Sequence, residues 1–252
     1  MRKVYVLVLV CLTGVLIGSA VGLLILRARA GEPEMDLAKR LEPRFATALL
    51  SMYEHRPQRG LDGKLHELDQ ITGISPAEGI LIYDTCRKIN ARRTMEVGFA
   101  YGYSTLYFLA AAAATGGQHV VIDPFEMTDW NGIGMEKVRE VGMEDRFRFV
   151  SELSVHALPS LENEGQKFDV VFIDGSHKFE DVLLDFVLSD RVCASSGYII
   201  FDDMWMPAIR KVVRYVERNR SDFARRDSAV PNAAVFQKVG ADHRDWRFFS
   251  DF

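Results

Sequence analysis

Cysteine is scarce in this chain: Cys11, Cys86 and Cys193 are its three, and they lie far apart. There is no CxxC pair, no His/Cys cluster and no even set of spaced cysteines, so neither a thiolate zinc site nor a disulfide framework is indicated and a reducing compartment is expected. Also missing is the G-x-G-x-x-G turn of dinucleotide sites, which speaks against a nicotinamide oxidoreductase. No internal repeat or low-complexity run occurs. Acids are absent from the first 31 residues, which carry Arg2, Lys3, Arg27 and Arg29. The remainder therefore holds 27 basic against 35 acidic residues, a net −8. A domain that acidic is a poor nucleic-acid binder.

Of 252 residues, 48% are hydrophobic, enough for one α/β domain of about 200 residues beside a membrane segment. Residues 4–26 form an uncharged run of 23, long enough as a helix to cross a bilayer of about 30 Å. A secretory signal would have a shorter apolar core, about 7–15 residues, so an uncleaved transmembrane anchor is expected. Arg27, Arg29, Lys39, Arg40 and Arg44 follow the run against two basic residues before it, which would place the domain in the cytoplasm of a single-pass membrane protein. Gly14, Gly18 and Gly22 could pair two anchors in a homodimer, or reflect only the frequency of glycine in membrane helices. The expected organisation is an anchor over 4–26, a linker and N-terminal helix over 27–69, and a catalytic domain over 70–252.

Leu37 to Tyr53 has helical spacing of apolar residues, and Arg56 to Lys64 reads as a polar loop. Ile74 to Gly79 reads as a helix start, with Ser75 at the N-cap, Pro76 in the first turn and Glu78 three residues on; that helix would run to about Lys88. Strands are expected at 94–98, 118–122, 147–150, 168–173 and 196–201, with a last one over 232–239. Helices are expected at 103–114, 132–141, 178–191 and 206–219, and a weaker one at 155–161. The alternation predicts a parallel, doubly wound, Rossmann-like sheet.

The chemistry concentrates at the strand ends. Thr94 to Thr105 reads as strand, glycine turn and helix. Gly98 and Gly102 let the backbone approach a ligand, and the helix offers unpaired N–H groups to the turn. Glu96, two residues before Gly98, suits an ammonium-bearing ligand better than a pyrophosphate. Asp123 ends the second strand 25 residues after Gly98. There it can accept ribose hydroxyls, with Glu126 as substitute, or serve only as a turn residue before Pro124. Asp174 ends the fourth strand, and Asp202 with Asp203 the fifth. Adjacent strands lie about 4.8 Å apart, so the three acids can converge. Their mutual repulsion would call for a cation, and an oxygen set suits Mg²⁺ or Ca²⁺. Otherwise Asp174 would only position the ligand while Asp202 and Asp203 cap the next helix. His177 lies three residues past Asp174 and can take a proton from a hydroxyl; His66, His119 and His156 have no such neighbours. Trp130, Met204, Trp205 and Met206 can wall a substrate pocket or pack in the core.

Together these segments resemble the metal-dependent O-methyltransferases of the catechol and caffeoyl-CoA type, and more closely their bacterial relatives in the methyltransferase 24 group, over about residues 70–240. The resemblance implies a class I methyltransferase using S-adenosylmethionine (SAM). Ile74 and the following Ser75–Gly79 segment would lie over the cofactor. Glu96, Gly98, Gly102 and Ser104 would form the turn against its methionine part, Asp123 would meet the ribose and Ser154 the adenine. Asp174 would serve both cofactor and metal, with Asp202 and Asp203 as the other metal ligands. Two positions depart from the catechol pattern: Asp-Asp stands where that family has Asp-Asn, and His177 where it has a lysine base. The implied activity is metal-assisted O-methylation of a hydroxyl on a small molecule or membrane-associated acceptor, with His177 and Asp174 catalytic. A membrane-tethered binding module of the same fold without transferase activity is the alternative.

Overall fold

The computed structural model describes residues 37–69 and 71–252. After a short helical turn over 37–40, the chain breaks at Glu42 (φ −58°, ψ 147°), the extended geometry forced on a residue before proline. Helix α1 (Pro43–Tyr53) then buries Phe45, Leu49 and Met52 in the domain core. The N-terminal helical segment is thus part of the domain's packing, with Tyr103 Oη donating to Met52 O at 2.9 Å. The expected loop after it holds a small hairpin, β1 (Gln58–Arg59) and β2 (Leu65–His66).

The alternating elements follow: α2 (Pro76–Lys88), β3 (Arg93–Val97), α3 (Tyr103–Thr115), β4 (Gln118–Ile122), α4 (Ile133–Glu140), β5 (Phe147–Val150), α5 (Ser154–Asn163), β6 (Phe168–Ile173), α6 (Phe179–Val192), β7 (Cys193–Phe201), α7 (Pro207–Asn219), β8 (Phe223–Arg226) and β9 (Ala234–Lys238). Among the described residues they form one seven-stranded sheet in the order β5-β4-β3-β6-β7-β9-β8. Strands β3 to β7 run parallel, as expected, but β9 is antiparallel to both β7 and β8. The sheet is therefore mixed rather than wholly parallel. The order reverses between β3 and β6, the switch point where open α/β sheets bind ligands at their carboxyl ends.

Period-two alternation divides the core between the two faces. Val170 and Phe172 of β6 join α1, α2 and α3 on one face, whereas Val171 and Ile173 join α5, α6 and α7 on the other; Phe168, before a register shift at the start of the strand, also packs on the second face. Helix α3 is buried almost all round, as its Leu and Ala content requires. Its packing on α2 depends on Gly79, where a Cβ would come 2.0 Å from the Tyr107 ring.

No helix among the described residues is long and apolar enough to cross a membrane. The longest, α6, has 14 residues, about 21 Å against a hydrocarbon layer of about 30 Å. This overturns the expected localisation as a single-pass membrane protein with a cytoplasmic domain. The run 4–26 and its glycine stripe, on which that expectation rested, lie outside the described residues.

Candidate active site

Successive strand ends are tied edge to edge. Gly98 N donates to Ile122 O (2.9 Å), Asp174 N to Val97 O (2.9 Å) and Asp202 N to Ile173 O (3.3 Å). Above them opens a cavity of about 970 Å³, in the upper range of small-molecule sites. The turn after β3 forms its floor. Gly98 has φ 100°, and a Cβ there would lie 2.2 Å from Asp174 O, so only glycine lets β3 and β6 approach here. Gly102 (φ 85°) is the N-cap of α3, and Ala100 between them is also left-handed (φ 45°), a strain that such sites concentrate.

Of the expected cofactor residues, Ile74, Gly98, Ser104, Asp123, Ser154 and Asp174 line this cavity. Glu96 and Gly102 do not. Glu96 is fully buried, bonded by Thr105 Oγ1 and by His119 Nε2 at 3.1 Å. Thr94 Oγ1 lies 2.8 Å from the other nitrogen of that ring, which stacks on Phe108 at 4.5 Å. His119 therefore has the acidic neighbour it was expected to lack, and so does His66, 2.9 Å from Asp62. The second Glu96 oxygen, Oε2, is buried with no partner among the described residues. Asp123 accepts from Phe99 N (2.9 Å), Ala100 N (3.2 Å) and Phe125 N (2.7 Å). Three of its roughly four acceptor positions are thus spent on holding the turn, leaving one rather than two for a ribose. Glu126 is buried beyond the cavity wall, its Oε1 accepting from Met135 N at 3.2 Å.

The acids of the cavity meet differently from expectation. Asp174, His177 and Asp203 each bring one ligand atom within 4.8 Å of the others. His177 Nε2 is 2.7 Å from Asp203 Oδ2 and 3.8 Å from Asp174 Oδ1. Asp202 lines the cavity but is not in this group; its Oδ1 lies 3.4 Å from Asn232 Nδ2. The reason is local geometry: neighbouring residues at a strand end point apart, and Asp203 turns into the left-handed region (φ 56°), which aspartate tolerates. Burial, above all, pushes Asp174 up to about 6, and burial with the nearby Asp174 and Glu78 carboxylates pushes Asp202 up to about 9. Burial would also raise Asp203, but donors from His177 and Trp205 hold it below the usual range. Contacts with Asp174 and Asp203 push the His177 imidazole up to about 10. Crowded acids neutralised by one imidazolium suit a divalent cation that would take the imidazolium's place: the Asp174 and Asp203 carboxylates lie within bridging reach, with Asp202 adjoining.

A family model for a methyltransferase domain matches residues 95–204, the stretch from β3 to the acid loop. Over that stretch the chain is similar to methyltransferases. Its sequence is 28% identical to tapetum-specific methyltransferase 1 of Arabidopsis thaliana over 57% of this chain and 58% of that protein. It is 25% identical to flavonoid 3',5'-methyltransferase of Vitis vinifera over 68% and 73%. The chain spans about half to three-fifths of the length of the first curated relatives it matches. The O-methyltransferase TomG of Streptomyces achromogenes, solved in complex with SAM, superposes with a TM-score of 0.58 at 20% identity, covering 79% of this chain and 91% of that one. At that identity the likeness is one of fold.

Several polar residues of this cavity carried no motif in the sequence. Asp185, four residues after Asp181 on α6, is buried, bonded by the Ser154 side chain and pushed up to about 6 by burial. Ser176 Oγ donates to Asp181 Oδ2 at 2.7 Å. Their i, i+4 spacing on the helix after β6 was the available signal. Trp130, Trp205 and Met206 line the cavity, whereas Met204 packs on the core beneath. Trp130 meets Tyr101 edge to face at 5.1 Å, and Trp205 is 65% exposed with Nε1 donating to Asp203 Oδ1 at 2.8 Å.

Proposed function

We propose that residues 70–252 form the methyltransferase domain, with the segment from residue 37 packed onto it, and that it transfers a methyl group from SAM to a hydroxyl of a small molecule with the help of a divalent cation. The observation that carries this is the cavity at the switch point, lined both by the glycine turn after β3 and by the Asp174–His177–Asp203 group. SAM supplies the electrophilic methyl on a sulfonium. A divalent cation, Mg²⁺ by the preference of carboxylates, would supply positive charge that acidifies the hydroxyl and draws the acids' charge away from His177.

The chain's own residues bind, orient and move a proton. The Gly98–Ser104 turn and Ile74 receive the cofactor. The remaining Asp123 acceptor takes one ribose hydroxyl, Ser154 faces the adenine, and the unpartnered Glu96 Oε2 offers an acceptor behind the turn. Asp174, Asp203 and, beside them, Asp202 would hold the cation. Once free of its acid partners, His177 Nε2 accepts the hydroxyl proton. Trp205 and Met206 wall the acceptor side and keep water out. Catalysis is then mostly orientation and charge placement, because the reactive methyl arrives with the cofactor.

Calorimetry of the full chain with S-adenosylhomocysteine, with and without Mg²⁺, tests this on wild type and Asp174→Asn. Micromolar binding that responds to Mg²⁺ only in the wild type is expected. Binding indifferent to Mg²⁺ removes the cation from the reading, and an absence of binding removes the transferase.

A further inference from the structure

Asn232 lies in the turn before β9 and bridges the start of α2 and the acid loop after β7. Its side-chain nitrogen donates to Glu78 Oε1 at 2.6 Å and lies 3.4 Å from Asp202 Oδ1. Its side-chain oxygen accepts from Trp205 N at 3.2 Å, and its backbone carbonyl accepts from Met204 N at 2.9 Å. These partners fix the amide orientation, since the flipped form would set an oxygen against two carboxylates. Glu78 in turn closes the capping box of α2, accepting from Ser75 N at 2.5 Å beside the cavity-lining Ile74. Glu78 and Asp202 are both buried. Two buried carboxylates on facing elements repel one another, and a neutral amide that offers N–H groups to both relieves this while tying α2 to the acid loop. An apolar side chain could do neither, and an aspartate would add a third charge.

We propose that Asn232 is a positioning residue that couples the start of α2, over the cofactor, to the Asp202–Trp205 loop, so that SAM and the divalent cation bind cooperatively. The inference rests on the methyltransferase reading. A cation that orders the acid loop fixes Asn232; Asn232 fixes Glu78 and the α2 start; and the preordered α2 start takes the cofactor with less ordering left to do. The effect is reciprocal, because it is a difference in binding free energies. Neither ligand needs to touch Asn232.

The test is calorimetry of the full chain, titrating S-adenosylhomocysteine with and without saturating Mg²⁺. In the wild type Mg²⁺ tightens binding about 5- to 10-fold, the lower part of the usual coupling range. Asn232→Ala brings that ratio close to one, Glu78→Gln does the same, and the double variant loses no more than either, since all three break one strap. Asn219→Ala breaks a contact of another loop, with the Ser250 backbone, and keeps the wild-type ratio. Should Asn232→Ala not fold, Asn232→Ser and Glu78→Gln carry the same test. An unchanged ratio in the variants overturns the coupling alone, whereas a wild-type ratio of one removes the cation from the methyltransferase reading and the coupling with it. No binding of S-adenosylhomocysteine to the wild type overturns the methyltransferase reading and the coupling with it.

Discussion

His177 Nε2 donates to Asp203 Oδ2 at 2.7 Å while Asp174 Oδ1 stands 3.8 Å away, so the ring that would act as a base is held as an imidazolium between two acids. Its raised pKa, about 10, means that the folded state keeps the proton more tightly than the unfolded chain. The stabilisation is full below the ordinary value near 6.5 and is lost as pH rises through about 10. Without divalent cations, the melting-temperature gap between wild type and His177→Gln should be largest near pH 6 and close above pH 10. Added Mg²⁺ should bring the His177 proton release, followed by NMR, down toward the ordinary range. A ring that titrates near 6.5 in the cation-free protein would contradict this.

Glu126 supplies an independent pH effect outside the cation group. Burial, then the nearby Asp123, pushes it up to about 8, and its Oε2 has no partner among the described residues. A carboxyl with a raised folded pKa stabilises while protonated, so stability is full below about 4.5 and falls as pH rises through about 8. Glu126→Gln keeps an acceptor for Met135 N and removes the titration. Thermal melts of the two proteins should agree near pH 4 and separate by pH 9, with the glutamine variant the more stable.

Gly98→Ala should fail for two separable reasons. The new Cβ meets Asp174 O at 2.2 Å, and φ is 100°. Gly63 has a positive φ of 78° but nothing within 4 Å, so Gly63→Ala isolates the backbone cost, about 1 kcal/mol. Denaturant unfolding should show Gly98→Ala losing several-fold more than that, and its S-adenosylhomocysteine affinity should drop at least tenfold. Equal losses at the two positions would mean that β3 and β6 separate without strain.

Phe172→Ala tests the two-sided core. Phe172 is 1% exposed on the face shared with α1 and α3, and its truncation should cost about 3–5 kcal/mol. Urea unfolding would read this directly. A loss below about 1 kcal/mol would mean that the face can collapse around the cavity.

The central strands of the parallel half could be read from sequence because both their faces are buried. Continuous runs such as Val170 to Ile173 then mark the strand without alternation. The glycine turn was equally legible, since Gly98 and Gly102 are required by backbone geometry. Strand β8 was not, for it lies at the sheet edge and buries only Phe223 of its four residues. The antiparallel insertion of β9 was hidden as well, because a lone strand carries no mark of its direction. The Asp174–His177 spacing was visible, but the exchange of Asp202 for His177 in the group depends on the φ of Asp203, which no side-chain pattern encodes. Asn232 meets Glu78 across 154 residues. The His119 pair was within reach: Thr94 and His119 are register partners on β3 and β4, which sets His119 diagonal to Glu96.

Strand β9 sits between β7 and β8 although it is the last of the three to be made. A growing chain that has passed Phe201 already carries Gly98, Asp174 and His177, yet the outer edge of β7 stays bare until residues 234–238 leave the ribosome. Asn232 emerges with that strand. The nascent protein therefore exposes an unpaired apolar edge, open to unwanted pairing, for about thirty residues of synthesis. The same late addition that closes the sheet delivers the amide that holds the acid loop, so a chain stopped early has the site's acids without the asparagine that ties them to α2.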